Sequence, residues 1–400
     1  MVSSERYNPM ETKYLQICQE AFNWARQRDF RGYSKFDALN SPFLWFLSAH
    51  SVFLRKAFVF ALSRSPVNIR PLLSVRKKQN PKGLALFARC ALNLYTLTGQ
   101  EEYKHQAGKL IELLLTISQK DKFSGHCWGY EHPWQNIAFF IPPYEPNSVV
   151  TCAAAEAFLK AYAVFGQQEY LDVCTSVADF LLNDLTQIDV GPNRLCRSYD
   201  LHSGWKVINV NAFIAAYLAK LYTVTKNETY KEVAEKTMRW VIDTRTPDCA
   251  WYYTDPPEAS RITIDNYHTG FVLDSIQEYL EVFENSEYQR VWQQGLDYYQ
   301  KNLFLSDGTP KWMYNKPTPH DIHGSAQGII TFSKAAAIES EQMGQAAKIL
   351  NWTLENMYDA RQARFYYQKT PRWTRRFTLM RWSQAWMCYA ISEYLLSRKD

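Results

Sequence analysis

A closed ring of six α-helical hairpins, an all-α (α/α)6 toroid, is the fold the sequence predicts, and three observations predict it. The first is an internal repeat. Leu84, Val149, Asn209 and Tyr267 each open an apolar helix, a short turn with Gly or Asn and a second helix, and a more divergent fifth copy opens near His323. Tyr103, Tyr170, Tyr230 and Tyr288 hold the same place in four copies, about 60 residues apart. In the fifth copy Met343 departs from this pattern.

The second observation is periodicity. In the third copy Val210, Ile214, Tyr217, Leu218, Leu221 and Val224 recur at helical steps, followed by Tyr230, Val233, Ala234, Thr237 and Val241. First helices are Ala-rich and apolar on most sides, as a helix buried all round must be; second helices carry charge on one face. Inner helix followed by outer helix is the resulting assignment. The third observation is what remains: an outer-type helix over 11–28 and an inner-type helix over 381–397. Pairing them closes a ring of six hairpins and leaves no open end to cap. The chain then reads as one domain, 1–400, with residues 29–83 as an amino-terminal elaboration.

Composition limits the function classes. The net charge of +5 is mild for 400 residues, so nucleic acid is not the expected partner. Aromatic residues make up 15%, which excludes disordered and fibrous classes and calls for a large core or a ring-lined site. The amino terminus shows no secretory pattern, and His50, Arg55 and Lys56 interrupt the apolar run 43–62, so no membrane span is expected. Eight scattered cysteines without a CxxC pair read as free thiols in a reducing cytoplasm. Basic residues Arg64, Arg70, Arg76, Lys77, Lys78 and Lys82, with Arg372, Arg375 and Arg376, read as a solvated face. The functional alternative is peripheral contact with an anionic membrane at its inner face.

In a toroid the loops leading into inner helices gather at one mouth. Here they are 120–148, 186–208, 247–266, 305–322 and 359–380, long for helix connections. Each carries Trp: Trp128 and Trp134, Trp205, Trp251, Trp312 and Trp373, joined by tyrosines that include Tyr130 and Tyr144. Flat rings at a cleft stack on sugar faces; alternatively they pack the loops onto the barrel. Polar residues cluster at the same places. They are Glu131, His132, Gln135 and Asn147; Asn209 and Asn211; Asp265, Asn266 and His268; His320, Asp321, His323 and Gln327; then Arg381, Trp382 and Gln384. Asp265, Asn266 and Asp321 also stand where helix amino termini take capping oxygens. The histidines around Asp321 lack a third firm ligand, so no metal is expected. Without a glycine-rich phosphate loop or a Gly-flanked Ser, neither a cofactor nor a catalytic triad is expected.

The segments WGYEHPWQN, IDNYHTGF, HDIHGSAQGII and MRWSQAWM, with SPVNIRPLL and NPKGLALF, resemble proteins of the VpsJ type. The resemblance covers most of the chain. It implies a role in exopolysaccharide or glycan biosynthesis, within the wider six-hairpin glycosidase and epimerase-like toroids. Hydrolysis needs two carboxylates, for which Glu131 and Asp265 are the candidates. Epimerisation or elimination at a uronic acid needs a held carboxylate and a proton-transfer pair. The chain is richer in the second kit, so it reads as a uronate epimerase or lyase. His268 and Tyr144 are the proton-transfer candidates, with His132 and His323 beside them. Glu131 orients, and Arg381 and Asn266 bind the carboxylate. Its substrate is a polymeric, lipid-linked or nucleotide-linked saccharide. A glycoside hydrolase and a non-catalytic glycan-binding member of a synthesis complex are the alternatives.

Overall fold

The computed structural model of the chain describes residues 8–135 and 140–398. Asn136, the last residue of WGYEHPWQN, lies outside the described residues. The fold begins with α1 (Pro9–Arg26), followed by a small unit of α2 (Pro42–Ser48) and α3 (Val52–Arg64). Five hairpins come next: α4 (Pro81–Thr98) with α5 (Glu101–Thr116), α6 (Ser148–Phe165) with α7 (Gln168–Asn183), and α8 (Ile208–Thr225) with α9 (Glu228–Asp243). Then follow α10 (Asn266–Leu280) with α11 (Ser286–Leu303), α12 (Ile322–Ala335) with α13 (Gln342–Met357), and finally α14 (Trp386–Leu396).

The inner helices α4, α6, α8, α10, α12 and α14 pack each on the next, and α14 packs back on α4. Helix α1 packs on α14 and supplies the sixth outer helix, so the ring closes as its sequence pattern requires. Ala-rich faces let the inner helices approach closely. The hairpin turns repeat as well: Gly99, Gly166 and Lys226 end α4, α6 and α8 in left-handed conformation. One boundary and one burial differ from expectation. Helix α1 starts at Pro9 because Asn8 and Glu11 form a reciprocal capping box. Val224, assigned to the buried face of α8, is 41% exposed, because it lies in the last turn of the helix beyond the packed layer.

Helix α6 is the one described helix long and apolar enough to cross a membrane by composition; it is an inner-ring helix, more than half buried. The run 43–62 divides into α2 and α3 around Ala49–Ser51. A small separate core of Ala38, Leu39, Leu44, Val59, Leu62 and Val75 holds this elaboration together. All eight cysteines are buried and free.

The rim loops are stitched to one another. The first backbone N–H of α6, α8, α10 and α12 donates to the carbonyl of Tyr199, Tyr253, Trp312 and Tyr367 respectively, each on the following loop (3.1–3.2 Å). Met380 N donates to Tyr33 O in the same manner (3.0 Å). Each helix thus satisfies an orphan donor with a rim carbonyl, and that carbonyl belongs to an aromatic residue. At Gly32 a Cβ would lie 2.5 Å from Met380 Cβ, so only glycine lets the amino-terminal segment close this ring.

Candidate active site

The residues at the mouth converge on one dyad. Asp265 precedes α10 in extended conformation, yet its side chain does not cap the helix. Both its carboxylate oxygens instead lie 2.9 Å from His268 Nδ1, one turn on. A carboxylate accepts, so Nδ1 is the donor, and the neutral tautomer that fits this contact has its lone pair at Nε2. The imidazole is packed against Tyr253 (ring centroids 4.4 Å apart) and Tyr267 (4.2 Å).

Tyr267 also stacks on His323 (4.5 Å), which Trp382 and Trp386 enclose. Neither nitrogen of His323 has a hydrogen-bond partner among the described residues, although the ring is 2% exposed. Burial, reinforced by Lys82, Arg381 and Lys35, pushes its pKa well below the ordinary histidine range, so it is neutral at pH 7.

Three cations surround these rings. Arg381 and Trp382 lie on a π-helical turn, Met380–Ala385, where a regular start to the last inner helix was expected; such turns often serve functional sites by re-aiming side chains. Arg381 is 4% exposed and sits over the rings of Tyr130 and Trp382. Its Nε is unpartnered, and it forms no ion pair among the described residues. Lys82, on the first turn of α4, is 4% exposed, and burial followed by repulsion from Arg381 lowers its pKa to about 7. Lys35 reaches in from the amino-terminal elaboration, 3.7 Å above the Trp382 ring and 3.5 Å from Asp321 Oδ2. Burial lowers its pKa despite Asp321.

The two remaining acids are already committed. Asp321 Oδ1 caps α12 at His323 N (3.0 Å) and accepts from Trp382 Nε1 (2.7 Å), while Oδ2 accepts from Gln368 Nε2 (2.5 Å). Glu131, 1% exposed, accepts from Ser34 Oγ (3.0 Å) and Asn80 Nδ2. His132 Nδ1 lies 3.0 Å from the same carboxylate, off the line of a hydrogen bond. Burial alone would raise the Glu131 pKa; His132 first, then its own backbone N–H and Arg381, hold it below the usual range.

Other candidates go elsewhere. Trp128 and Trp251 are buried and donate their indole N–H to Leu114 O and Val241 O, so they pin loops to outer helices. Asn266 donates to Leu303 O (2.8 Å) and accepts from Tyr299 (3.1 Å), which turns its amide away from the mouth. Asn211 serves backbone groups of Arg197 on a neighbouring loop, and Gln384 serves Phe365 N and, in α1, Ala21 O. His320 bonds Pro310 O and faces Trp352. Gln327 points down the ring to Asp274 and Thr331. Asn147 caps α6, leaving its buried Nδ2 unpartnered, as is Asn209 Oδ1. Gln135 receives Arg55 Nε (3.0 Å), and Trp134 packs against Tyr130, Phe36 and Tyr199 at the mouth. Tyr144 is 37% exposed, its pKa is raised by burial and then Glu131, and it does not touch His268. Arg70, Lys82 and Arg375 are buried rather than on a solvated face.

Sequence reasoning passed over Lys35, Ser34, Asn80, Tyr267 and Trp386, and read Lys82 as surface charge. It also missed a floor beneath the site. A cavity of about 70 Å³ lies below Lys82, Phe271 and Trp386. An ion network of Glu156, Lys220, Glu278 and Lys334 then crosses the ring (2.5–2.9 Å). Its signal was available: charged residues on helices otherwise apolar all round.

The same architecture recurs in enzymes that act on sugars. Cellobiose 2-epimerase from Bacillus thermoamylovorans superposes with a TM-score of 0.64 at 12% identity, covering 82% of this chain and 90% of that one. The GH76 α-mannanase of Bacteroides thetaiotaomicron gives 0.60 at 12%, covering 80% and 86%. An unsaturated glucuronyl hydrolase specific for heparin also gives 0.60 at 12%, covering 82% and 89%. At such identities the likeness establishes the all-α six-hairpin toroid fold alone. No protein-family model and no curated sequence matches the chain.

Proposed function

We propose that the protein is a carbohydrate-active enzyme of glycan biosynthesis that abstracts the proton beside the carboxylate of a uronic acid residue, as an epimerase or lyase. The observation that carries this reading is Arg381: a buried guanidinium with no ion pair among the described residues, its Nε unpartnered, over the Tyr130 and Trp382 rings near the Asp265–His268 dyad. A buried cation without a counter-ion is costly unless a ligand supplies the charge. A carboxylate on Arg381, with Lys82 nearby, delocalises charge as the adjacent carbon loses its proton.

His268 Nε2 takes that proton, and Asp265 steadies the imidazolium that forms. In elimination the imidazolium formed at His268 returns its proton to the leaving oxygen, and in epimerisation water delivers the proton to the opposite face; His323, neutral and across Tyr267, can offer the substrate only an N–H hydrogen bond. The aromatic collar of Tyr130, Tyr253, Trp312 and Trp382 offers flat faces for the sugar ring. The VpsJ-type resemblance and the sugar chemistry of the structural neighbours support the substrate class.

Hydrolysis fits less well. Glu131 is held ionised by its partners and is therefore a poor general acid, and Asp265 is bound to His268 through both oxygens. The test is deuterium uptake from heavy water at the carbon beside the carboxylate, followed by NMR on uronate-containing saccharides. Uptake that is lost in His268→Ala and weakened in Arg381→Ala is expected. Reducing-end release without exchange or unsaturated product would refute the reading.

A further inference from the structure

Two stretches of the chain contain no Asp or Glu: residues 38–100 and 360–392. The fold brings them together. Arg375 donates to Arg64 O (2.8 Å) and Ser65 O (3.2 Å), which ties the turn carrying Arg372, Trp373 and Arg376 to the end of α3. Arg64, Arg76, Lys77, Arg372 and Arg376 are exposed on this flank, and Trp373 is 46% exposed.

On the same unit, α2 and the start of α3 turn apolar side chains outward. Phe46 is 81% exposed, Phe53 77%, Phe43 58%, Val52 49% and Leu47 45%. The opposite side of the hairpin already has its core, built on Leu39, Leu44, Val59 and Leu62, so the outward residues are not needed to hold the unit together. Contiguous exposure of this kind marks an interaction surface.

The position of the hairpin relates it to the site. Trp45 stacks on Phe140 (6.0 Å), and Arg55 Nε donates to Gln135 Oε1 (3.0 Å), so the hairpin leans on the loop that walls the mouth. Lys35, in the segment leading into it, enters the site itself.

We propose that the α2–α3 hairpin docks on an anionic lipid bilayer. Its phenylalanines and Leu47 enter the interfacial layer, and Arg64, Arg76, Lys77, Arg372 and Arg376 meet lipid phosphates. Charge selects this occupant. A second copy of the chain would set two acid-free cationic flanks face to face, an arrangement that repels. A bilayer offers apolar depth rimmed by negative charge, the complement of exposed rings flanked by basic side chains. Docking sets the mouth of the ring at the membrane surface, where a lipid-linked saccharide is presented.

The experiment is flotation of the full chain with phosphatidylcholine vesicles, with and without about 30 mol% phosphatidylglycerol. Binding to the anionic vesicles, and its loss at high salt, are expected. Phe46→Ser/Leu47→Ser/Phe53→Ser and Arg64→Glu/Arg76→Glu/Lys77→Glu should each cut the bound fraction roughly tenfold while circular dichroism stays unchanged. Absence of flotation, indifference to phosphatidylglycerol, or indifference to both variants overturns the proposal. So does a concentration-dependent dimer dissolved by the apolar variant, which would assign the face to self-association. None of the six substituted residues belongs to the catalytic machinery. Exchange on a soluble substrate therefore persists in both variants, and the docking and catalytic proposals fail separately.

Discussion

Replacing Lys82 by Met should stabilise the free protein while weakening its response to carboxylates. The ammonium lies at 4% exposure, 5.3 Å from the Phe271 ring and 5.2 Å from the Trp386 ring, without a carboxylate at ion-pair distance among the described residues. Its pKa falls from 10.5 to about 7, burial being the main cause and Arg381 the second. The unfolded chain therefore holds this proton more tightly than the folded one. The penalty is full below about pH 7 and fades as pH rises towards 10.5. At pH 6 it amounts to about 5 kcal/mol. Contact with the two rings returns about 1–2 kcal/mol. The net gain for Lys82→Met is then about 3 kcal/mol at pH 6, falling to about 1 kcal/mol at pH 10. For a chain of this length, 3 kcal/mol raises Tm by about 4 °C. Thermal unfolding of both proteins at the two pH values reads this difference. Added glucuronate should raise the wild-type Tm at pH 6 more than the variant's, since Arg381 remains in both. A variant less stable than wild type at pH 6, or a gap independent of pH, would refute the assignment of an uncompensated cation.

Three further outcomes are expected. Asp265→Asn should lower kcat for solvent exchange by about 10²–10⁴ with little change in KM, since the amide no longer steadies imidazolium at His268; retention of kcat within a few-fold would remove the dyad from the mechanism. Arg70→Ala breaks an ion pair with Asp37 (2.8 Å, both side chains 1% exposed) and should destabilise the elaboration by about 3–5 kcal/mol, read as early proteolysis within 29–83. For Glu131→Gln, the native carboxyl titrates below its usual range, so its stabilisation is present above about pH 4.5 and lost as pH falls through the lower folded value. The unfolding gap between wild type and variant, about 1–3 kcal/mol at pH 7, should close in acid; a gap constant down to pH 3 would contradict the ionised, hydrogen-bonded Glu131.

Much of this molecule is legible in its residues. The hairpin repeat, the inner and outer roles and the closure by α1 and α14 all follow from local periodicity, because a helix buried on all sides must be apolar on all sides. The sequence also placed His268, His323 and Arg381 at successive inner-helix starts, and the structure brings these side chains close to one another. The roles within the set were not legible. Asp265 and Asp321 occupy equivalent places before their helices, yet one orients a histidine and the other caps, because only the second has Trp382 and Gln368 turned towards it. Trp128 and Trp312 look alike as loop tryptophans, and the first is an anchor in the core while the second lies beneath Lys35.

The sequence by itself determined the ring, its order and the end at which the polar and aromatic loop residues gather, for those depend on spacing along single helices. Tertiary structure alone decided which charges are compensated. Lys35 meets Asp321 across 286 residues, and Arg381 is left with its Nε unpartnered and no ion pair among the described residues. A side chain's pKa and partners are set by whatever the closed ring places within a few ångströms, and no stretch of chain carries that information locally.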